Sequence, residues 1–308
     1  MSTHQTKPHL LVVGGTGFIG YHLALSAKIR GWKVTSMSIN RPKKYRYVDG
    51  VNYLRIDINN LKELKKKLIG SFNYVVNLGG YVDHTSFSFE NDGDKIIKAH
   101  FIGVINLTKV ISKKKINKFV QIGSCAEYGE SRAPQNENDE GLPVSPYALA
   151  KLASTQFLLM LHKTKKFPAC VLRFFQVYGP KQDQNRVLPK TIQSCLKNKK
   201  FPASKGDQIR DFCYVDDAVK AIFLALKSNK SSGEIINIGL GKPIKIKQAI
   251  NTIHKIIGKG QIQFGKIKYR EDENMSVYPD IKKARIKLKW KPRFSFNRGI
   301  KTVINSFK

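Results

Sequence analysis

The chain has few cysteines, few acidic residues and no long apolar run. Its 308 residues include four cysteines, at positions 125, 170, 195 and 213, without CxxC spacing or paired histidines. This pattern indicates neither a zinc site nor a disulfide framework. No run of about 18 apolar residues could span a membrane, and Met1–His9 lacks the apolar core of a signal peptide. We therefore expect no metal, no membrane insertion and a cytoplasmic protein.

The charge balance is strongly basic. Only 22 Asp and Glu oppose 55 Lys and Arg, and the formal net charge is +33. Such a balance favours polyanionic partners, including nucleic acid, anionic membranes and phosphorylated ligands. The lysines, however, alternate with apolar residues in short runs that are typical of the outer faces of amphipathic helices. We find no basic strand interleaved with aromatic residues of the kind that binds nucleic acid. A solvated lysine-rich surface is therefore favoured, and no nucleic-acid partner is expected.

The start of the chain combines a strand, a glycine-rich turn and a helix. The apolar run His9–Val13 opens into the glycines at positions 14, 15, 17 and 20, and Tyr21–Arg30 is typical of a helix. This order is the context of a dinucleotide fingerprint, in which glycines let the backbone approach a pyrophosphate at a helix N-terminus. A tight turn without a ligand is the alternative. The predicted cofactor contacts here are Gly14, Gly17, Phe18, Ile19 and Gly20.

The end of the second predicted strand, Lys33–Met37, bears on the choice of cofactor. An NAD site usually carries an acidic residue there, which holds the ribose 2′-hydroxyl. Ser38 occupies the position, no acid appears before Asp49, and Arg41 follows with two lysines. A missing carboxylate beside cations suits a 2′-phosphate, so the sequence favours NADP(H) over NAD(H), with contacts from Ser38 and Arg41. The alternative is that Arg41 is an ordinary surface cation.

Strand and helix patterns alternate through most of the chain. Further strands are predicted at Asn52–Ile56, Tyr74–Leu78, Lys118–Ile122, Cys170–Phe174 and Ile235–Ile238. Helices are predicted at Leu61–Leu68, Lys95–Ser112 and Ala148–His162, and Tyr214–Leu226 is predicted to be a strand end followed by a helix. This βαβ spacing predicts an α/β fold with a doubly wound parallel Rossmann sheet. Such sheets bind ligands at the C-terminal ends of their strands. The predicted cofactor contacts at those ends are Asp57, Ile58, Leu78, Gly79 and Gly80.

The stretch from Ser145 to Lys151 has the pattern of a proton-transfer site. Pro146 suits the first helical position and Ser145 the N-cap, which places Tyr147 in the first turn. Tyr147 and Lys151 are four residues apart, so they share one face of the helix. The ammonium and the helix dipole would favour the phenolate; an ordinary solvated helix is the alternative. Ser124, after the fifth strand, is expected to meet this helix in one crevice.

Four ordered motifs together resemble the extended short-chain dehydrogenase/reductases. The closer match is the NAD(P)-dependent epimerase/dehydratase group that acts on nucleotide sugars, and it runs nearly end to end. The motifs are Gly14–Gly20, Ser124–Gly129, Tyr147-xxx-Lys151 and Arg210-Asp211-Phe212. The resemblance implies that Tyr147 is the acid/base, that Lys151 holds the nicotinamide ribose and lowers the tyrosine pKa, and that Ser124 bonds the reacting sugar oxygen. Both Tyr147 and Lys151 would thus contact the cofactor.

The resemblance also implies a division of the chain and a set of substrate contacts. A Rossmann domain would comprise residues 1–176 with return segments at about 212–240, and a smaller C-terminal lobe for the nucleotide sugar would comprise 177–211 and 241–308. A homodimer is expected through the helices Lys95–Ser112 and Ala148–His162. Two alternatives stay open: Arg210 could pair with Asp211, and Glu273 could belong to a solvated charge cluster. The implied substrate contacts are Gln176 (commonly asparagine in relatives), Arg186, Val187, Arg210, Arg270 and Glu273.

Three reactions at the sugar C4 fit such a site. Dehydration is disfavoured, because Cys125 and Ala126 occupy the positions where dehydratases carry acids and Glu127 should point elsewhere. Reduction of a 4-keto-6-deoxy sugar is favoured over a UDP-hexose 4-epimerase with tightly held cofactor, since residues 208–217 and 264–292 look like those of 4-ketoreductases making deoxysugars such as CDP-abequose. A non-catalytic module of this fold that binds RNA or protein is a further alternative. The complete set of Ser124, Tyr147 and Lys151 argues against it.

Overall fold

The computed structural model describes residues 7–82, 87–88, 93–270 and 272–307. Its strands are β1 (His9–Val13), β2 (Lys33–Ser38), β3 (Asn52–Arg55), β4 (Tyr74–Asn77), β5 (Lys118–Ser124), β6 (Ala169–Phe174), β7 (Gln176–Tyr178), β8 (Lys200–Pro202), β9 (Ile209–Arg210), β10 (Phe212–Tyr214), β11 (Ile235–Ile238), β12 (Ile244–Lys245), β13 (Gln261–Gln263) and β14 (Ser276–Val277). Its α-helices are α1 (Phe18–Ile29), α2 (Leu61–Lys67), α3 (Asp94–Ile97), α4 (Gly103–Ile111), α5 (Pro146–Lys165), α6 (Val187–Leu196), α7 (Val215–Lys227), α8 (Ile246–Ile257), α9 (Lys282–Leu288) and α10 (Phe296–Asn305). A π-helical turn, Lys98–Ile102, joins α3 to α4.

Seven parallel strands form the central sheet, in the order β11-β6-β5-β4-β1-β2-β3. The chain moves outward from β1 to β3, then returns to β4 on the other side of β1. The order therefore reverses between β1 and β4, which is where doubly wound sheets bind their ligands. The predicted doubly wound parallel sheet is confirmed.

Helices cover both faces of this sheet, as an all-parallel sheet requires. On one face, Leu23 of α1 and Ile222 of α7 belong to a core cluster with β1, β5 and β6. On the other face, Leu64 of α2, Leu107 of α4 and Leu158 of α5 belong to a second cluster. A third cluster is built from residues C-terminal to β6, chiefly on α6, α8 and α10. In the part of the chain that the structure describes, no helix is long and apolar enough to cross a bilayer.

The beginning of α5 follows the sequence prediction. Ser145 is the N-cap, and its Oγ accepts a hydrogen bond of 3.3 Å from the backbone N–H of Ala148. Pro146 is the first helical residue, so Tyr147 lies in the first turn. The predicted helix Lys95–Ser112 differs in one respect, because the π-helical turn interrupts it and changes the direction of its side chains.

Candidate active site

The glycine-rich turn brings its backbone close to neighbouring main chain. Gly14 has φ of +74°, and a Cβ there would lie 2.7 Å from the carbonyl oxygen of Leu78. A Cβ on Gly20 would collide with the carbonyl of Gly14. Gly17 is the N-cap of α1, and its lack of a side-chain cap leaves the first turn without a side-chain acceptor. Backbone N–H groups at such a helix N-terminus are suited to a phosphate.

A cavity of about 560 Å³ lies at the C-terminal ends of β1 to β4. Its size is that of a small-molecule site. The predicted cofactor residues that line it are Gly14, Gly17, Ser38, Asp57, Ile58, Leu78, Gly79 and Gly80. The glycine backbone at its floor and the adjacent helix N-terminus fit a dinucleotide. Phe18, Ile19 and Gly20 form the first turn of α1 and are not among the lining residues.

Sequence reasoning missed part of the cavity wall. The additional polar residues are Thr16, Asn40, Asn59, Tyr81, Lys95 and Lys98. Thr16 belongs to the glycine turn, and Asn40, Asn59 and Tyr81 follow a strand end within about four residues, so their position in the sequence could have indicated them. Lys95 and Lys98 come from α3 and the π-helical turn, and no local sequence motif indicates that these lysines line the cavity.

The prediction of NADP(H) is not supported by the cavity wall. Arg41 is exposed and is not a lining residue. Ser38 does line the cavity, and its Oγ accepts a hydrogen bond of 3.3 Å from the backbone N–H of Thr16. The hydroxyl therefore joins the end of β2 to the glycine turn, and the cation on which the prediction depended lies outside the wall.

The three predicted catalytic residues lie together. Tyr147 is 5% exposed and its hydroxyl forms a side-chain hydrogen bond with Ser124. Lys151, also 5% exposed, donates from Nζ to the backbone carbonyl of Ile122 at 2.9 Å. Its Nζ lies 6.0 Å from the centroid of the Tyr147 ring. Ser124 at the end of β5 therefore meets the face of α5 that carries Tyr147 and Lys151, as the sequence predicts.

The pKa of Tyr147 differs from the sequence prediction. Burial raises it above its usual value, and the Ser124 hydrogen bond and the Arg186 guanidinium lower it only in part. Burial also lowers the pKa of Lys151 to about 8, against the opposing effect of Glu127. Burial disfavours the charged form of both groups, so the net direction for Tyr147 is upward, and the lowering of its pKa by Lys151 stays a prediction.

His100 connects the cavity to Tyr147. This residue of the π-helical turn is 3% exposed, and its ring meets the Tyr147 ring edge-on with centroids 5.0 Å apart. A Cβ on Gly80 would collide with the imidazole. The Nε2 is 2.7 Å from the carbonyl of Tyr81, and burial and Lys151 lower the pKa of His100 to about 3, so the ring is neutral. No sequence motif indicates His100, since its placement depends on the π-helical turn.

Three predicted substrate residues form one cluster. Arg210 pairs with Glu273, whose other oxygen accepts a hydrogen bond of 3.1 Å from Nε of Arg270. The Glu273 side chain is 13% exposed, so it is not part of a solvated cluster. Asp211 is fully buried and accepts from the backbone N–H of Lys242 at 3.0 Å. Arg210 therefore pairs with Glu273 rather than with Asp211.

The remaining predicted substrate residues are exposed. Arg186 is the N-cap of α6, and its charge reaches Tyr147. Val187, the first residue of α6, is 40% exposed. Gln176 begins β7, and its backbone N–H donates to the carbonyl of Asp211 at 3.1 Å. Of these three residues, Arg186 is thus the one whose charge lowers the pKa of Tyr147.

The expectation that Glu127 points away from the crevice is confirmed. The residue is fully buried, and its carboxylate pairs with Arg173 at 2.8 Å. Cys125 and Ala126 stand beside Ser124 with partly exposed side chains. No acid from this short segment is therefore available to a substrate, which disfavours dehydration.

Comparison with known proteins shows the relationships of the chain. A model of the NAD dependent epimerase/dehydratase family matches residues 10–239. The chain is 32% identical to a protein of Methanocaldococcus jannaschii described as a putative UDP-glucose 4-epimerase, over 97% of this chain and 98% of that protein. It is 27% identical to a UDP-glucuronate 4-epimerase of Thermodesulfobacterium geofontis, over 96% of this chain and 95% of that protein.

Solved structures agree with this relationship. The UDP-glucose 4-epimerase of Thermotoga maritima with UDP-glucose superposes with a TM-score of 0.88 at 25% identity, covering 97% of this chain and 98% of that one. The UDP-glucuronic acid 4-epimerase of Bacillus cereus, in complex with UDP-glucuronic acid and NAD, gives 0.86 at 27% identity with the same coverage. The resemblance inferred from the sequence motifs is confirmed. The chain belongs to the NAD-dependent epimerase/dehydratase family.

Proposed function

We propose that the protein is a nucleotide-sugar 4-epimerase that retains its nicotinamide cofactor and acts at C4 of a nucleotide-diphosphate hexose. The observation that carries the proposal is the hydrogen bond between the side chains of Tyr147 and Ser124, with Lys151 one helical turn along. His100, which contacts Tyr147, links this group to Gly80 and Tyr81 of the cavity wall. The 4-epimerase names of both relatives described above support it.

The side chains supply positioning and a proton. A bound nicotinamide would accept hydride from C4 and return it. Tyr147 would take the proton of the C4 hydroxyl and give it back, while Ser124 bonds the same oxygen. Tyr147 would take that proton as the phenolate; burial, which raises the pKa of Tyr147, opposes this form and favours the return of the proton to the sugar oxygen. Proton transfer by a positioned group contributes about 10²–10⁴-fold.

The cofactor and substrate would contact opposite ends of the crevice. Lys151 has N–H groups beyond the one bonded to Ile122 with which to hold the nicotinamide ribose. Arg210 and Arg270 would bind the diphosphate, since guanidinium groups match phosphate geometry. Glu273, which both arginines contact, would accept from the nucleoside ribose. Gln176, Arg186 and Val187 are proposed to complete the substrate site.

We propose the domain division that the resemblance implies. Most of the third core cluster lies in residues 178–203 and 244–307, with Phe212, Tyr214 and Leu240 added from the return segment, and it shares no member with the two clusters that flank the central sheet. This supports a lobe of residues 177–211 and 241–308 that binds the nucleotide sugar. Residues 1–176, with return segments at about 212–240, would then bind the cofactor.

Reduction of a 4-keto-6-deoxy sugar with NADPH is the second candidate. The observation that favours it is the end of β2, where Ser38 and Asn40 line the cavity in place of a carboxylate. Against it, Arg41 is not in the cavity wall, and the Bacillus cereus neighbour is in complex with NAD. We therefore rank the epimerase first and NAD(H) above NADP(H).

One experiment separates these functions. Purified protein is denatured to identify any released dinucleotide, and native protein is incubated with UDP-glucose or UDP-galactose without added cofactor. Interconversion followed by NMR, with NAD(H) released, supports the epimerase. Oxidation of added NADPH by a nucleotide 4-keto-6-deoxyhexose, without interconversion of UDP-hexoses, would establish the reductase instead. If Tyr147→Phe keeps full activity, neither enzymatic proposal stands and the non-catalytic module becomes the better description.

We also propose a homodimer through α4 and α5. Apolar side chains of α5 and of the π-helical turn before α4 are exposed: Ile102 (39%), Leu149 (52%) and Met160 (46%). Exposed apolar patches mark association surfaces. Light scattering after size exclusion should give twice the chain mass, and Met160→Glu should shift it toward the monomer. A monomeric mass for the unaltered protein would contradict the proposal.

A further inference from the structure

We propose that Glu127 is a positioning residue whose buried carboxylate fixes Ser124 against the helix that carries Tyr147 and Lys151. The inference rests on the proposed function, in which those three residues act on cofactor and substrate. Glu127 itself is buried behind β5 and contacts neither.

The carboxylate joins three elements of the fold. Its Oε1 accepts from the backbone N–H of Ser124 at 2.8 Å. Its Oε2 accepts from the hydroxyl of Thr155 at 2.7 Å and from Nε of Arg173 at 2.8 Å. The end of β5, the helix α5 and the strand β6 are therefore held at one point, inside the protein, directly behind the crevice.

Thr155 sets the rotation of the catalytic helix. It follows Lys151 by four residues and Tyr147 by eight, so all three lie on one face of α5. A hydrogen bond at Thr155 therefore holds the face that presents Tyr147 and Lys151. On the other side of the crevice, Ser124 and Glu127 form a reciprocal capping box, in which Oγ of Ser124 also accepts from the backbone of Ala126.

The surrounding residues are shaped around this carboxylate. A Cβ on Gly123 would lie 2.5 Å from Oε1 of Glu127, so a glycine is what makes room for it. The Arg173 guanidinium lies 4.4 Å from the centroid of the Tyr128 ring. Arg173 is thus held both by its ion pair and by its aromatic neighbour, and the carboxylate has little freedom to move.

The charge of Glu127 acts on Lys151. Burial lowers the pKa of that lysine to about 8, and the carboxylate raises it against that trend. The titratable groups around Lys151 are Tyr147 on the same helix, neutral His100 from the π-helical turn, and Glu127 after β5, with Arg173 beyond it. Loss of the carboxylate should therefore release the lysine proton at lower pH.

The rival explanation is that Glu127 serves stability alone, as buried ion pairs do. Breaking the pair from either end would then unfold the protein to similar extents and leave the ionisation of Lys151 unaltered. Glu127 and Arg173 have opposite charges, so losing one should shift the ionisation of Lys151 in the opposite direction from losing the other. Comparing a variant of each therefore separates the two explanations.

The test compares Glu127→Gln with Arg173→Met in the full chain. Soluble folded protein is quantified by circular dichroism, and kcat/KM is measured from pH 6 to 10, since its pH profile reports groups of the free enzyme. We expect the alkaline limb of the Glu127→Gln profile to move to lower pH by about 1 unit, the lower end of the effect of an opposite charge on a pKa. The alkaline limb of the Arg173→Met profile should move to higher pH, because Glu127 without its arginine partner holds the proton of Lys151 more tightly.

Thr155→Val removes the hydrogen bond between Thr155 and Glu127 without altering any charge. It also provides the test if Arg173→Met does not fold. We expect kcat to fall about tenfold, with KM for the nucleotide sugar and the pH profile unchanged. Glu234→Gln, which breaks a pairing with Lys283 and Lys287 far from the crevice, is the control and should change none of these quantities.

The outcomes separate this inference from the proposed function. Unaltered protein without activity on any nucleotide hexose would overturn the proposed function. Active unaltered protein whose alkaline limb is the same in Glu127→Gln and Arg173→Met, or shifts alike in both, would overturn the role of the charge. Full kcat in Thr155→Val would overturn the positioning role of the hydrogen bond between Thr155 and Glu127.

Discussion

The ammonium of Lys151 donates a hydrogen bond of 2.9 Å to the backbone carbonyl of Ile122, within the strand that ends at Ser124. The contact joins α5 to β5 directly behind the crevice. It also holds a lysine that is almost fully buried, where the charged form is disfavoured. The same residue is therefore expected to serve function and to weaken the fold.

We predict that Lys151→Met abolishes activity while raising stability at pH 7. Burial lowers the pKa of Lys151 from 10.5 in the unfolded chain to about 8. The difference corresponds to a cost of order 3 kcal/mol for keeping the folded lysine charged, and methionine removes that cost while filling similar space. Urea unfolding at pH 7 should show a higher free energy of unfolding for the variant.

The pH dependence provides the control for this prediction. Between pH 8 and 10.5 the unfolded chain binds more protons at this residue than the folded chain, so stability rises with pH in that window. The advantage of Lys151→Met should therefore shrink as pH approaches 10.5. A variant less stable than the unaltered protein at pH 7 would show that the lost hydrogen bond to Ile122 outweighs the charge.

Tyr147→Phe should reduce kcat by about 10²–10⁴-fold, the contribution of a positioned acid or base. The ring would keep its edge-on contact with His100, so cofactor binding and the melting temperature should change little. Tyr178→Phe is the matched control, because Tyr178 is buried and bonds the carbonyl of Phe296 in the third core cluster. Its kcat should equal that of the unaltered protein. Equal activity in both variants would remove Tyr147 from the chemistry.

Comparing Gly14→Ala with Gly31→Ala should separate the effect of backbone strain from the effect of a side chain that collides with neighbouring main chain. Both glycines have positive φ, +74° and +75°, so alanine is strained at each by about 1–2 kcal/mol. At Gly31 a Cβ meets nothing within 4 Å, whereas at Gly14 it lies 2.7 Å from the carbonyl oxygen of Leu78. We expect Gly14→Ala alone to lose NAD(H) affinity, measured by NADH fluorescence. Equal affinities would mean that the glycine turn does not bind the cofactor.

The central sheet could be predicted because its signals are local. Apolar runs such as His9–Val13 and Ile235–Ile238, separated by amphipathic helices, match the observed strands to the residue. The short strands after β7 carry no such signal. Ile209–Arg210 pairs with Ser276–Val277, more than sixty positions away, and each strand has only two residues. Their pairing is decided by tertiary contacts that a sequence pattern does not contain.

The candidate site could be predicted in its residues but not in its electrostatics. Ser124, Tyr147 and Lys151 follow from motif and spacing. The direction of the tyrosine pKa does not, because the depth of burial that raises it depends on the whole fold. Glu127 was expected only to point away, since its partners Thr155 and Arg173 lie 28 and 46 positions along the chain. Long-range contacts of buried polar groups were the part that sequence could not supply.

Arg210→Met and Arg270→Met should differ in their effect on the KM for the nucleotide sugar. Arg210 is 9% exposed, whereas the Arg270 side chain is 48% exposed and its charge is screened by solvent. Hydrogen bonds to charged groups contribute about 1.5–3 kcal/mol when desolvated, so Arg210→Met should raise KM by about 10–100-fold. In Arg270→Met the increase should be a few-fold at most and should disappear in 0.5 M salt. Because neither arginine contacts the reacting oxygen in our proposal, kcat should fall less than KM rises. A large loss of kcat with unchanged KM in Arg210→Met would place this cluster in the chemistry instead of in substrate binding.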